Sequence, residues 1–170
     1  IAVSGGQMRD QAVHFFDLML ERRLRGEPLQ YVVGRWGFRH LDLMVDSRVL
    51  IPRPETEVVA GLALDELDRL RADGHPRRDG RPVVAVDLGT GSGAIGLSIA
   101  DERERVDVWL TDASADAVAV ARANLVGLGR AATRVRVLEG DWFAALPDEL
   151  RGAIDVVVSN PPYVADDEHL

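Results

Sequence analysis

The sequence contains no cysteine and no lysine; all 20 of its basic residues are arginine. Without a thiol there is no disulfide, no thiolate zinc site and no cysteine nucleophile. Without a lysine ammonium there is no Schiff base, no pyridoxal-phosphate anchor and no Walker-A phosphate loop. Histidine is scarce as well. His14, His40, His75 and His169 lie too far apart for a local motif such as H-E-x-x-H, so no metal site is expected. No apolar run approaches the roughly 20 residues that a membrane helix requires, and no charged, apolar, small-residue leader opens the chain. A cytoplasmic location is the expectation.

Against those 20 arginines stand 28 acidic residues, a net charge of −8 over 170 residues. That balance offers no overall basic face for counterion release from nucleic acid, although a local arginine patch is compatible with it. Hydrophobic content of 46% and charged content of 28% exclude a disordered or collagenous chain. The length suits one domain with a small appendage, burying roughly 70% of its extended surface. The chain opens in mid-pattern on Ile1, which predicts a piece of a longer polypeptide.

Apolar residues recur at steps of three and four through Met8, Ala12, Phe15, Phe16, Met19, Leu20 and Leu24. This predicts an amphipathic helix closed by Gly26 and Pro28. The β-rich stretches Tyr31-Val32-Val33 and Trp36 to Val45 read as short strands of a hairpin. Pro54 suits the first position of a helix, and Glu55 and Glu57 suit the positive end of its dipole. Val59, Ala63, Leu67 and Leu70 would be its buried stripe. The polar, turn-rich residues 73–82 form the clearest boundary in the chain. After it come four near-continuous apolar runs: Val83 to Asp87, Val106 to Thr111, Val135 to Leu138 and Ile154 to Ser159. One helix runs between the first two through Ala100, and another from a Ser114 cap to Leu125. Such alternation predicts an α/β fold with a parallel, doubly wound sheet.

Two places carry chemistry. In Asp87-Leu88-Gly89-Thr90-Gly91-Ser92-Gly93-Ala94-Ile95-Gly96 the glycines fall at a strand-to-helix turn. They permit a tight bend and bring a ligand close to backbone N–H groups at the helix start. Gly91, Gly93 and Gly96 satisfy G-x-G-x-x-G, and Asp112 stands nineteen residues past Gly93, where dinucleotide folds hold ribose hydroxyls. A structural turn and a solvated acid would look the same singly; together they point to a nucleoside-type cofactor. Asp87, just ahead of the glycines, does not suit a pyrophosphate. Its charge suits a cationic ligand, such as the sulfonium and ammonium of S-adenosylmethionine.

The second place is Asn160-Pro161-Pro162-Tyr163, at the end of the fourth run. Two consecutive prolines hold Asn160 extended. The Asn160 side-chain oxygen and the Pro161 carbonyl can then both accept hydrogen bonds from one planar –NH2 group, while Tyr163 offers a face for stacking. An amide or aryl amine is a poor nucleophile because its lone pair is delocalised. Two acceptors pulling on its hydrogens favour a pyramidal nitrogen with its lone pair turned toward a methyl donor.

The pairing of Asp-Leu-Gly-Thr-Gly-Ser-Gly with Asn-Pro-Pro-Tyr resembles class I S-adenosylmethionine-dependent methyltransferases acting on planar nitrogens. The segments Gly26 to Gly34, Leu50 to Glu57 and Gly140-Asp141-Trp142-Phe143 are similar to the HemK/PrmC family. Those are protein-(glutamine-N5) methyltransferases that modify the Gly-Gly-Gln motif of peptide-chain release factors in translation termination. The resemblance implies a Rossmann-like doubly wound sheet, S-adenosylmethionine as cofactor and a release factor as partner; a monomer is expected. It implies that Gly89, Thr90, Gly91, Ser92 and Gly93 wrap the methionine end of the cofactor, that Asp112 holds its ribose and that Trp142 lies against its adenine. Asn160 would touch both cofactor and substrate. Asn160, Pro161, Pro162 and Tyr163 would cradle the glutamine, with Asn160, Pro161 and Tyr163 as the catalytic groups, and residues 52–57 would border the pocket.

The same resemblance divides the chain into a remnant of an N-terminal helical domain (1–27), a hairpin and helix leading to the core (28–82) and a partial methyltransferase domain (83–170). A sheet of this class has seven strands, of which four are present, so truncation after the fourth is expected to leave it as a bare edge and transfer weak. Adenine-N6 methylation of nucleic acid and methylation of a ribosomal-protein glutamine remain rivals through the same Asn-Pro-Pro-Tyr. A non-catalytic cofactor-binding fragment and a nicotinamide dehydrogenase are the readings from other classes. His14, Trp36 and Trp109 read as packing residues. Ser4-Gly5-Gly6-Gln7 reads as a flexible lead-in that matches Gly-Gly-Gln by chance.

Overall fold

A computed structural model of the chain describes residues 5–74 and 80–161. Helix α1 (Gly5–Leu24) leads to a short helix α2 (Leu29–Val33), a hairpin of β1 (Arg35–Phe38) and β2 (Leu41–Met44), and helix α3 (Pro54–Ala72). Then β3 (Val83–Leu88), α4 (Ala94–Glu102), β4 (Val106–Asp112), α5 (Ala115–Val126), β5 (Val135–Glu139) and β6 (Val156–Ser159) follow. Strands β3 to β6 form one parallel sheet in the order β5-β4-β3-β6. The chain steps outward from β3 through β4 to β5, then crosses back to the other side of β3. That reversal opens a crevice at the carboxyl ends of β3 and β6, the usual ligand position in open α/β sheets.

The apolar runs explain this core. Val83 and Ala85 on one face of β3 and Val86 and Leu88 on the other are buried, as are Val106, Val108 and Leu110 on one face of β4. Helix α4 supplies Leu97, Ile99 and Ala100, all fully buried. Helix α3 lies against α4 and β6, while α5 lies against β5 and β2. As expected, Pro54 opens α3 with Glu55 and Glu57 in the first turn. Ser114 caps α5 by accepting the Ala117 N–H. The hairpin is tied to the core by Arg39, whose guanidinium makes a two-bond pair with Glu102 at the end of α4 (Nη2–Oε2 2.7 Å). That guanidinium holds the Glu102 carboxyl below the usual range.

Three expectations are corrected. Tyr31-Val32-Val33 is helical, not a strand. Pro28 opens the turn with its fixed φ, Gly34 closes it in the left-handed region (φ 75°), and the Arg22 guanidinium donates to the Tyr31 and Val32 carbonyls at 3.0 and 3.2 Å. Those contacts outweigh the strand preference of the two valines. His14, read as a packing residue, is exposed on the expected helix α1, whose apolar stripe is open as well: Phe15 and Phe16 expose 65% and 64% of their surface and Leu24 77%. Gly5, Gly6 and Gln7 open α1 and are no lead-in to it. In the boundary region, residues 75–79 lie outside the described residues. Strand β6 forms one edge of the sheet among the described residues, with Val157 exposed. No described helix is long and apolar enough to cross a membrane.

Candidate active site

Where β3 ends, the chain turns through Gly89, Gly91 and Gly93 with φ of 68°, 56° and 86° before entering α4. The glycines do two different jobs. A Cβ at Gly93 would stand 2.7 Å from Leu97 Cδ1, and one at Gly96 would stand 2.7 Å from Leu110 Cδ1 and 3.1 Å from Asp87 Oδ2. These two glycines let the helix close on the sheet. A Cβ at Gly89 or Gly91 would meet nothing within 4 Å. There the positive φ and the missing side chain leave open space beside exposed backbone.

Two carboxylates shape this turn. Asp87 is 1% exposed, and its Oδ2 accepts from Thr90 Oγ1 at 2.6 Å and from the Gly96 N–H at 2.9 Å. Burial pushes its carboxyl up from 3.8 to about 6, against the two hydrogen bonds and with help from the nearby Asp112 charge. Asp112, half-buried at the end of β4, accepts from the Gly91 N–H at 2.8 Å and from the Ser114 N–H at 2.9 Å. It therefore braces the glycine turn against the start of α5, with carboxylate lone pairs left over for a ligand. Asn124 of α5 does the same from below. Its amide exchanges hydrogen bonds with both backbone groups of Met44 and donates to the Ser92 carbonyl at 2.9 Å, joining hairpin, helix and turn.

The parallel register pairs Leu88 with Ser159, and the Ser159 hydroxyl donates to the Leu88 carbonyl at 2.8 Å. Asn160 therefore follows directly beside the glycine turn. Its Nδ2 donates to Thr56 Oγ1 at 3.0 Å, reaching the first turn of α3. Leu50, Pro52, Thr56 and Asn160, with Asp87 and Gly89 to Ser92, line one cleft. Of residues 52–57, Pro52 and Thr56 thus border the same space as the glycine turn. Pro162 and Tyr163 lie outside the described residues. Pro161 is half-buried.

The methyltransferase small domain family matches residues 72–170, more than half of the chain. The chain belongs to that family. Among curated relatives, the release factor glutamine methyltransferase of Xylella fastidiosa (strain 9a5c) is 45% identical over 160 residues, covering 94% of this chain and 53% of the relative. Its namesakes from Burkholderia pseudomallei (strain K96243) and Streptomyces coelicolor are 46% and 41% identical, covering 88% and 91% of this chain and half of each relative. The chain spans about half the length of the curated relatives it matches. Among solved structures, the N-terminal domain of human METTL16 in complex with SAH aligns with a TM-score of 0.55 at 17% identity, over 74% of this chain and 48% of that one. Human methyltransferase 10 domain containing protein aligns at 0.54 and 19%, over 75% and 57%. At such identities the likeness shows the fold, which is that of class I methyltransferases.

For this methyltransferase-family domain the donor set fits a cationic nucleoside ligand. The open space at Gly89 and Gly91 admits one against the backbone, and the anionic groups Asp87 and Asp112 face the same turn. Trp142 stands 53% exposed at the end of β5 in a left-handed backbone (φ 44°), an arrangement that costs about 1–2 kcal/mol in a non-glycine residue. One contributor was not legible beforehand: Asn124 sits among helical residues with no motif of its own, and only its partner 80 residues away in sequence marks it. Thr56 belongs to the 52–57 segment expected at the pocket, but its contact with Asn160, 104 residues away, is read only from the fold. Trp36, read as packing, also donates its indole N–H to the Pro52 carbonyl at 3.1 Å and so holds the wall of the cleft.

Proposed function

We propose that the chain carries the methyl-transfer site of a protein-(glutamine-N5) methyltransferase, with S-adenosylmethionine as donor and the glutamine of a release-factor Gly-Gly-Gln motif as acceptor. The observation that carries this reading is the pairing of β3 with β6, which sets the glycine turn and Asn160 on one cleft. The names of the curated relatives support the same substrate. In this reading Gly89 to Gly93 hold the methionine end of the cofactor, Asp87 balances its positive charge, Asp112 takes the ribose and Trp142 covers the adenine.

When bound, the cofactor supplies an electrophilic methyl group on a sulfonium sulfur. The protein's part is orientation. Asn160 Oδ1 and the Pro161 carbonyl accept the two hydrogens of the substrate amide and fix the direction of the nitrogen lone pair. Pro162 and Tyr163 complete, in this reading, the cradle for the glutamine. Leu50 and Ile95 keep the cleft wall apolar and exclude water. No strong base is required: once methylated, the amide nitrogen is acidic enough to release its surplus proton to solvent, and the rate comes from placing the amide and from acceptors fixed before it arrives.

The test is incubation of the chain with methyl-labelled S-adenosylmethionine and a purified release factor, followed by peptide mass spectrometry. A methyl group on the Gly-Gly-Gln glutamine, absent when that glutamine is changed to alanine, is the expected result. Cofactor binding by calorimetry without transfer to the release factor, where the same chain does methylate an adenine amine or a ribosomal-protein glutamine, would refute the substrate assignment.

A further inference from the structure

One side-chain amide in the molecule bonds two separate stretches of backbone. Asn124 lies on α5 and is 9% exposed. Its Oδ1 accepts from the Met44 N–H at 2.7 Å, and its Nδ2 donates to the Met44 carbonyl at 3.0 Å and to the Ser92 carbonyl at 2.9 Å. A main-chain N–H can only donate and a main-chain carbonyl can only accept. Exchanging the two ends of the amide would therefore set like against like at all three contacts. The orientation is fixed, and both amide hydrogens are committed. The proposed function puts the cofactor on the glycine turn and the acceptor amide in the cleft. Building on that reading, we propose that Asn124 is a positioning residue: it sets the spacing between the two walls of the cleft and, through it, the approach of the acceptor nitrogen to the methyl group.

The walls are the pieces it joins. Ser92 belongs to the glycine turn and lines the cleft with it. Met44 ends β2, and the chain after it runs to Leu50 and Pro52, which line the same cleft. That run is fastened to α2 and the hairpin. The Val45 N–H donates to the Gly34 carbonyl at 3.1 Å, the Tyr31 hydroxyl to the Val49 carbonyl at 2.6 Å and the Trp36 indole to the Pro52 carbonyl at 3.1 Å. Turn, Asn124, hairpin, Trp36 and Pro52 are thus links in series. The turn has supports of its own: Asp112 holds the Gly91 N–H, Asp87 holds Thr90 and Gly96, and the Thr111 carbonyl holds the Thr90 N–H. The hairpin likewise keeps its Arg39–Glu102 pair on α4. Loss of Asn124 therefore leaves the cofactor's support and the fold in place and frees one wall against the other. In-line transfer is sensitive to that freedom: a misplacement of about 1 Å costs on the order of a hundredfold in rate.

Asn124→Ala is expected to lower kcat roughly ten- to a hundredfold, while the dissociation constant for S-adenosylmethionine, read by calorimetry, changes by less than about threefold. Trp36→Phe breaks a later link in the same series and should lower kcat by itself. Links in series make the second break redundant, so the double variant should be little slower than Asn124→Ala alone. A general loss of stability would instead multiply the two effects. Multiplied losses overturn the proposal, as does an Asn124→Ala variant with the wild-type kcat. So does one whose loss of rate matches its loss of folded protein by circular dichroism, or its loss of cofactor affinity. A second readout needs neither turnover nor substitution. In the 15N-labelled wild type, S-adenosylmethionine bound to the turn should slow hydrogen exchange at the Met44 N–H and leave the Arg39 N–H, at the other end of the hairpin, unchanged. Met44 exchange that ignores the cofactor overturns the proposal. If the chain binds cofactor but methylates no glutamine, the proposed substrate fails, while Met44 exchange still decides the role of Asn124.

Discussion

Replacing Asp87 by asparagine should make the protein more stable and the site worse. Burial is the largest influence on this carboxyl and lifts it from 3.8 to about 6. A carboxyl raised on folding favours the neutral form, so its contribution to stability is fully present below 3.8 and is lost as pH rises through about 6. At 1.36 kcal/mol per tenfold change in proton affinity, the ionised group costs the fold about 3 kcal/mol at pH 8, and about 1.4 kcal/mol of that loss falls between pH 5 and 8. Asparagine stays neutral, and its Oδ1 can accept from Thr90 and Gly96 where Oδ2 does now. Asp87→Asn is thus expected to gain as much as about 3 kcal/mol at pH 8 and to lose the slope between pH 5 and 8. Urea unfolding followed by tryptophan fluorescence at a series of pH values measures both. Binding of S-adenosylmethionine should move the opposite way, weaker in the variant and weaker in the wild type as pH falls below about 6. A variant no more stable than the wild type at pH 8, with the same pH slope, would show that burial does not penalise the Asp87 charge.

The other predictions concern the walls of the cleft. Asn160→Ala should abolish methyl transfer to the release factor while cofactor affinity, measured by calorimetry, falls by less than about tenfold; a variant still turning over would remove Asn160 from the mechanism. Gly91→Ala places a side chain in the ligand space at φ 56°, so it should lose about 1–2 kcal/mol of stability and bind S-adenosylmethionine more weakly, both read from melting curves with and without ligand. Gly96→Ala drives a methyl group into Leu110 and should cost about 1–3 kcal/mol in urea unfolding despite the better helix propensity of alanine; a neutral result would mean that β4 and α4 have slack the packing does not show.

Much of the molecule is legible because local chemistry and tertiary packing agree. The runs around Val86, Val108, Val137 and Val158 are rich in β-branched apolar residues, and all four are strands of the parallel sheet; the run around Val86 is apolar on both faces, as a central strand covered on both sides requires. Pro54 and Ser114 mark helix starts because a fixed φ and a side-chain acceptor act within one turn. The glycine turn is legible for the same reason. Agreement fails where distant groups decide. Tyr31-Val32-Val33 has the composition of a strand, yet the Arg22 guanidinium on its carbonyls and a left-handed Gly34 make it a helix turn. The stripe of α1 has the period of a packed helix, but periodicity states only that a face is apolar and says nothing of what covers it.

The site divides along the same line. By itself the sequence determined which residue types stand where chemistry is proposed: a glycine turn behind Asp87, an acid at Asp112 and an amide ahead of two prolines at Asn160. Each is a short-range consequence of residue type and neighbours. Only the tertiary structure decided how they meet. The crossing of the chain back to β3 lays Ser159 beside Leu88, and α3 delivers Thr56 to Asn160 from 104 residues away. Only the fold, too, turned Asp87 from a surface acid into a buried one, because the affinity of a carboxyl for its proton depends on the water removed around it, and that is a property of packing rather than of the chain.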